Sequence, residues 1–162
     1  MAKAYLGIGG NLGDRQANIS RAIQLLTEHK DIDVLRVSSL MESRPEGGLN
    51  QPDYLNGAIE VQTELSPIEL LTQLKTVERR LGRVKGAPNA PRPMDLDILF
   101  YDDVVIVEGK TLSIPHPRLA SREFVLKPLF ELAPELVHPR LQKSVRQLCD
   151  DLTHEPRPSS LS

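Results

Sequence analysis

The chain has 162 residues, 40% of them hydrophobic, a size and composition that suit one domain with its own core. A formal charge of −2 supplies no global basic field, so binding to nucleic acid or to a membrane surface is not expected. Cys149 is the only cysteine, which excludes an intrachain disulfide and a cysteine-rich zinc site.

In chain order, Ala4 to Ile8 reads as a short buried strand, followed by a turn at Gly9-Gly10-Asn11-Leu12-Gly13. Glycine arrives before any apolar run of signal-peptide length, and no run reaches membrane-spanning length, so a cytoplasmic protein is expected. A helix follows with Ile19, Ala22, Ile23 and Leu26 on one stripe. Asp33 to Met41 and Tyr54 to Thr63 read as two strands joined by a loop, Glu42 to Asp53, too rich in proline and glycine for a crossover helix. These strands are therefore expected to be antiparallel neighbours. Ser66-Pro67-Ile68-Glu69 is a capping-box start for a helix to about Leu81, with Leu70, Leu74, Val77 and Leu81 facing inward.

Met94 to Tyr101 reads as a strand that turns at Asp102-Asp103 into Val104 to Val107. Helices are expected at Glu123 to Leu132 and Ser144 to Leu152. The order β-α-β-β-α-β points to an α+β, ferredoxin-like sandwich with a mainly antiparallel sheet, its helices on one face and the other face open, plus an extra C-terminal strand and helices. One domain over residues 1–154 is expected, with a disordered tail over 155–162, where Pro156, Pro158 and serines accumulate.

Asp95-Leu96-Asp97 carries the sharpest chemical signal. Period-two alternation puts both carboxylates on one strand face while Leu96, Ile98 and Phe100 face the core. Adjacent carboxylates repel unless a cation neutralises them, and magnesium needs only one or two from a protein. The alternative is a solvated face with two ordinary acids. The preceding segment carries Arg79, Arg80, Arg83, Lys85 and Arg92 against one acid, Glu78. Arginine forks beside a carboxylate-held metal suit triphosphate chemistry, although Arg79, Arg80 and Arg83 also complement a helix end.

Tyr54, Asn56, Ala58 and Glu60 share one face of their strand, with Leu55, Ile59 and Val61 on the other. Tyr54 beside Asn56 reads either as a platform for a flat heterocycle, with the amide matching its edge, or as packing over a sheet edge. His116, between Pro115 and Pro117, is either a phosphate donor or a solvated loop residue. Gly7-Ile8-Gly9-Gly10-Asn11-Leu12-Gly13 is similar to a dinucleotide fingerprint, but its spacing is irregular and no repeated βαβ pattern follows, so the glycines are read as permitting a tight turn. No Gly-Lys-Ser or Gly-Lys-Thr is present, which excludes a Walker-type loop.

Together the ordered motifs Leu6 to Gly13, Gln51-Pro52-Asp53-Tyr54-Leu55-Asn56, Gly82-Arg83, Pro91-Arg92-Pro93-Met94-Asp95-Leu96-Asp97-Ile98-Leu99, Ile114 to Arg118 and Arg122 to Leu126 resemble the 6-hydroxymethyl-7,8-dihydropterin pyrophosphokinases of folate biosynthesis. The resemblance implies an enzyme that transfers pyrophosphate from ATP to the pterin hydroxyl, with attack at the β-phosphorus and departure of AMP. It implies two magnesium ions on Asp95 and Asp97, and ATP as co-substrate beside Glu78, Arg83, Lys85, Arg92, Ile98, His116 and Arg122. Arg83 and Arg92 are further implied in catalysis. The pterin is implied between Tyr54 and Phe124, near Asn56, Ser43, Pro45 and Gly47. Small-molecule substrates and a monomer are the partner expectations.

Asn89-Ala90 replaces a loop tryptophan common in the family, Pro117 follows the histidine where some members carry an aromatic, and Lys85 stands where arginine is frequent. The loops Glu42 to Asp53 and Gly82 to Met94 are expected to act as lids. A metal-dependent nucleotidyltransferase and a ferredoxin-like sensing or RNA-binding module are the competing readings.

Overall fold

A computed structural model describes residues 1–45, 51–82, 94–108 and 111–154. The elements are β1 (Ala2–Gly10), α1 (Arg15–Glu28), β2 (Ile32–Val37), β3 (Met41–Ser43), β4 (Tyr54–Thr63), α2 (Pro67–Arg80), β5 (Asp95–Tyr101), β6 (Ile106–Glu108), β7 (Leu112–Ile114), α3 (Glu123–Leu132), β8 (Val137–His138), β9 (Lys143–Ser144) and α4 (Val145–His154). The main sheet has the order β2-β4-β1-β5, with β3 also paired to β4, and its neighbours are antiparallel. Each helical crossover skips one strand position, which is the ferredoxin-like arrangement anticipated from the order of elements.

Local chemistry explains the helix boundaries. Asp14 accepts from the Ala17 N–H and starts α1. Ser66 and Glu69 form a reciprocal capping box at the start of α2, with Pro67 in its first turn. The apolar stripes Ile19, Ala22, Leu26 and Leu70, Leu74, Val77 then pack with Leu6, Ile8, Ile59, Leu96 and Ile98 on one sheet face.

The structure corrects several expectations. The strand expected from Asp33 to Met41 is two strands, because the ladder is interrupted at Ser38: its N–H still donates to the Ala58 carbonyl, but its hydroxyl accepts from the Ala58 N–H and donates to the Ser39 carbonyl. The segment after Asp103 does not return along β5; β6 pairs with β7 instead. The second sheet face is not wholly open, since Leu126, Leu129 and Leu132 of α3 and Val145 and Leu148 of α4 pack on Tyr5, Ala58, Leu99 and Phe100. Phe100 lies on that face because a bulge in β5 interrupts the alternation: Ile98 pairs with Leu6 but Phe100 with Tyr5, leaving Leu99 as the extra residue. The expected tail, 155–162, lies outside the described residues. Among the described residues, no helix is long and apolar enough to cross a membrane.

Candidate active site

The part of the sheet that α3 and α4 leave uncovered floors a cavity of about 420 Å³. Its geometry follows from register. Gly9 of β1 stands between Asn56 of β4 and Asp95 of β5, and Gly7 stands between Ala58 and Asp97. Glycine at these central positions removes the side chains that would fill the space. A Cβ on Gly9 would meet Asn56 Oδ1 at 2.8 Å, and one on Gly7 would meet a Leu99 methyl at 3.3 Å. The sequence expectation that these glycines serve a turn is corrected: Gly7 and Gly9 are paired strand residues, and Gly13, at φ +69°, is the turn glycine. The fingerprint reading fails for the same reason, and the Asp14 carboxylate caps the start of α1.

Asp95 and Asp97 stand together on one wall, as the alternation predicted. Burial, followed by the charge of Asp95, pushes the Asp97 carboxyl up to about 7 against the opposing charges of Lys75 and Arg122; Glu78 raises it further. An acid whose ionised form is disfavoured in this way gains from a nearby cation. Two hard carboxylate oxygen donors beside open space fit magnesium, which draws its remaining ligands from phosphate and water.

Across the floor, Asn56 donates through Nδ2 to the Met41 carbonyl and the Ser43 hydroxyl, at 3.3 and 2.8 Å. With Nδ2 turned to these acceptors, Oδ1 is the atom directed toward Gly9. Asn56 therefore presents an acceptor, suited to an N–H edge. Ser43, Pro45 and Tyr54 continue this side of the cavity, while Phe124 enters from the first turn of α3. The Arg122 guanidinium lies 5.5 Å from the Phe124 ring centre, a cation-π contact that links the basic and aromatic walls.

His116 also lines the cavity. Its Nδ1 accepts from the Arg118 backbone N–H at 3.2 Å, which leaves Nε2 to carry the proton of the neutral ring. Burial lowers its pKa first, then the charge of Arg122; Asp95 opposes them and Arg118 adds to the lowering. A neutral Nε2–H donor results, suited to a phosphate oxygen.

Two of the expected nucleotide contacts do not line the cavity. Glu78 is 1% exposed and accepts from the Leu96 N–H at 2.7 Å, so it braces β5 between the two aspartates from behind. Ile98 is buried in the core against α1 and α2. Arg83, Lys85, Arg92 and Gly47 lie outside the described residues, as does most of the second expected lid and part of the first. The structure adds Gly7, Gly9, Lys75 and Arg118 to the cavity lining. Of these, the two glycines carried a readable signal, their i, i+2 spacing within a strand.

Comparisons with known proteins agree with this architecture. A family model described as 7,8-dihydro-6-hydroxymethylpterin-pyrophosphokinase matches residues 5–134. The 2-amino-4-hydroxy-6-hydroxymethyldihydropteridine pyrophosphokinase of Aquifex aeolicus is 40% identical over 156 residues, 96% of each chain. The folic acid synthesis protein fol1 of Schizosaccharomyces pombe is 42% identical over 149 residues, which are 92% of this chain but 20% of that one. The crystal structure of Plasmodium falciparum HPPK-DHPS, wild type with pteroate, superposes with a TM-score of 0.75 at 18% identity, covering 93% of this chain and 42% of that chain, and so supports the fold. The chain thus spans a minor part of the larger relatives and nearly the whole of the Aquifex protein. On the strength of the family match and the Aquifex identity, the chain belongs to the 7,8-dihydro-6-hydroxymethylpterin-pyrophosphokinase family.

Proposed function

We propose that this chain transfers pyrophosphate from ATP to the hydroxyl of 6-hydroxymethyl-7,8-dihydropterin, releasing AMP, as a step of folate biosynthesis. The observation that carries the reading is the meeting, over a glycine floor, of an acidic pair on β5 and an amide with aromatic neighbours on β4 and α3. One end suits cations and phosphates, and the other suits a flat heterocycle.

In this reading Asp95 and Asp97 hold two magnesium ions. When bound, magnesium neutralises phosphate charge and aids alignment of the chain for in-line displacement. Tyr54 and Phe124 hold the pterin ring by its faces. Asn56 Oδ1 accepts from a ring N–H, and the Ser43 hydroxyl and the backbone near Pro45 flank the same edge. The orientation directs the hydroxymethyl oxygen across Gly9 toward the β-phosphorus. His116 donates from Nε2 to a phosphate oxygen, and Arg122 balances charge on the same side. Arg83, Lys85 and Arg92 keep the phosphate roles implied by their motifs. One chain supplies every residue invoked, so the proposed reaction needs no second subunit, and a monomer is the proposed working form.

The test is incubation with ATP, magnesium and 6-hydroxymethyl-dihydropterin, with nucleotide products separated by chromatography. Pterin-dependent AMP is expected. Release of inorganic pyrophosphate with nucleotidylated acceptor would replace the reading with nucleotidyl transfer, a chemistry that family membership does not favour.

A further inference from the structure

Helix α2 belongs to the opposite side of the sheet from the cavity, yet one of its residues reaches the site. Leu74 and Val77 turn into the core, while Lys75 passes the edge strand β5 and joins Asp95 and Asp97 in lining the cavity. The Lys75 side chain is 41% exposed, and its ammonium lies 3.4 Å from a Glu78 carboxylate oxygen. That separation exceeds the roughly 2.7–2.9 Å of a charge-assisted hydrogen bond, so the ammonium is not locked to Glu78. Glu78 is itself anchored to the backbone of Leu96, between the two aspartates. The Lys75 charge is also felt at Asp97, where it opposes burial and the neighbouring acids.

We infer that Lys75 is a further substrate-contacting residue: it counterbalances the Asp95–Asp97 pair in the ligand-free protein and turns to a nonbridging phosphate oxygen of the nucleotide once divalent cations occupy the pair. The inference rests on the pyrophosphokinase reading and adds to it a cation supplied from the far side of the sheet. An ammonium suits the exchange because it has three donors on a flexible stem and can turn from one oxygen to another while staying beside Glu78. Asp95, Glu78 and Arg122 are the other charged groups that bear on Asp97, and Lys75 approaches it from α2.

Wild type, Lys75→Met and Lys75→Arg would be titrated first with Mn2+ alone, by electron paramagnetic resonance, and then with α,β-methylene-ATP plus Mg2+, by calorimetry. Melting curves would establish that each variant is folded. Lys75→Met should bind the nucleotide analogue about tenfold more weakly, the loss of one charge-assisted hydrogen bond. It should raise KM for ATP without moving KM for the pterin. Its affinity for Mn2+ alone should be unchanged or higher, because a repelling positive charge is gone. Lys75→Arg should recover analogue binding. Joint weakening of Mn2+ and nucleotide binding would mark Lys75 as a prop for Glu78 and overturn the inference, as would unchanged analogue affinity. A wild type that forms no AMP would remove the underlying reading; with wild-type AMP formation in hand, only the role of Lys75 is at stake.

Discussion

One face of one sheet holds two acids in opposite circumstances. At the end covered by α3, Glu60 is 5% exposed and accepts from the buried Tyr5 hydroxyl at 2.6 Å and from the Arg36 guanidinium at 3.1 and 3.2 Å. Arg36 also donates to the Leu132 carbonyl near the end of α3, tying that helix to the sheet. The hydrogen bonds from Arg36 lead in holding the Glu60 carboxyl below its ordinary range, despite burial. At the uncovered end, Asp97 is held well above that range by burial and by Asp95. Burial alone therefore does not distinguish a structural acid from a proposed metal ligand. The distinction lies in what faces each acid: Arg36 and Tyr5 hydrogen-bond Glu60, whereas at Asp97 the opposing charges of Lys75 and Arg122 do not outweigh burial and Asp95.

The largest test of that contrast is a pair of amide substitutions. Asp97→Asn should lower AMP formation by roughly a thousandfold, within the range seen when charge stabilisation is removed from a transition state, while the ligand-free protein melts at the same temperature or higher. Glu60→Gln should do the reverse. It weakens charge-assisted bonds to Tyr5 and Arg36, at a cost of about 2 kcal/mol in denaturant unfolding, with kcat kept within a few-fold of wild type. A protein destabilised by Asp97→Asn would break the comparison.

Next in size is Gly9→Ala. The added methyl must displace Asn56 Oδ1, which it would approach to 2.8 Å. KM for the pterin should rise by about tenfold, since misplacement of a recognition group of under an ångström is costly, while nucleotide affinity changes little. Equal losses for both substrates would instead place the damage in the sheet as a whole.

Acidification sharpens the comparison with the smallest expected signal. The folded pKa of Asp97, raised to about 7, exceeds its unfolded value near 3.9. Its destabilising contribution is therefore fully present above about 7 and fades as pH falls from there toward 4. Glu60, with a depressed folded pKa, contributes stability above its unfolded value that is lost as pH falls through the folded one. Melting temperatures of ligand-free protein between pH 7 and 4.5 should consequently fall less steeply for wild type than for Asp97→Asn. Magnesium affinity of the wild type should weaken over the same interval, because protons compete for the carboxylate.

The features legible in the sequence were those set by neighbouring residues. Ser66-Pro67-Ile68-Glu69 announced α2 because a capping box is a local reaction of side chain with backbone. Asp95 and Asp97, like Tyr54 and Asn56, could be placed on common faces because alternation along a strand is local too. Features decided across strands were hidden. Nothing in Asp-Leu-Asp-Ile-Leu-Phe-Tyr shows that Leu99 will bulge and turn Phe100 to the other face, since the cause lies in pairing with β1. The functional emptiness above Gly7 and Gly9 emerges only when β4 and β5 are laid on either side. Lys75 was invisible for a similar reason: its heptad-like neighbours mark a core helix, and only the edge position of β5 lets it reach around.

The placement of Asn56 and Asp95 on strands that flank the same glycine makes the sheet a gauge. Strand spacing of roughly 4.8 Å puts two steps, about 10 Å, between the backbone that bears Asn56, the proposed acceptor-reading residue, and the backbone that bears the acidic pair. Side-chain substitutions can alter which edge is read or which cation is favoured, but the hydrogen-bonded ladder keeps that span nearly constant. An alcohol whose reactive oxygen stands much closer to its recognised edge, or much farther from it, would occupy the cavity out of reach of the phosphorus. On the proposed reading, selectivity for acceptor length would be written into the backbone, where single substitutions have little purchase.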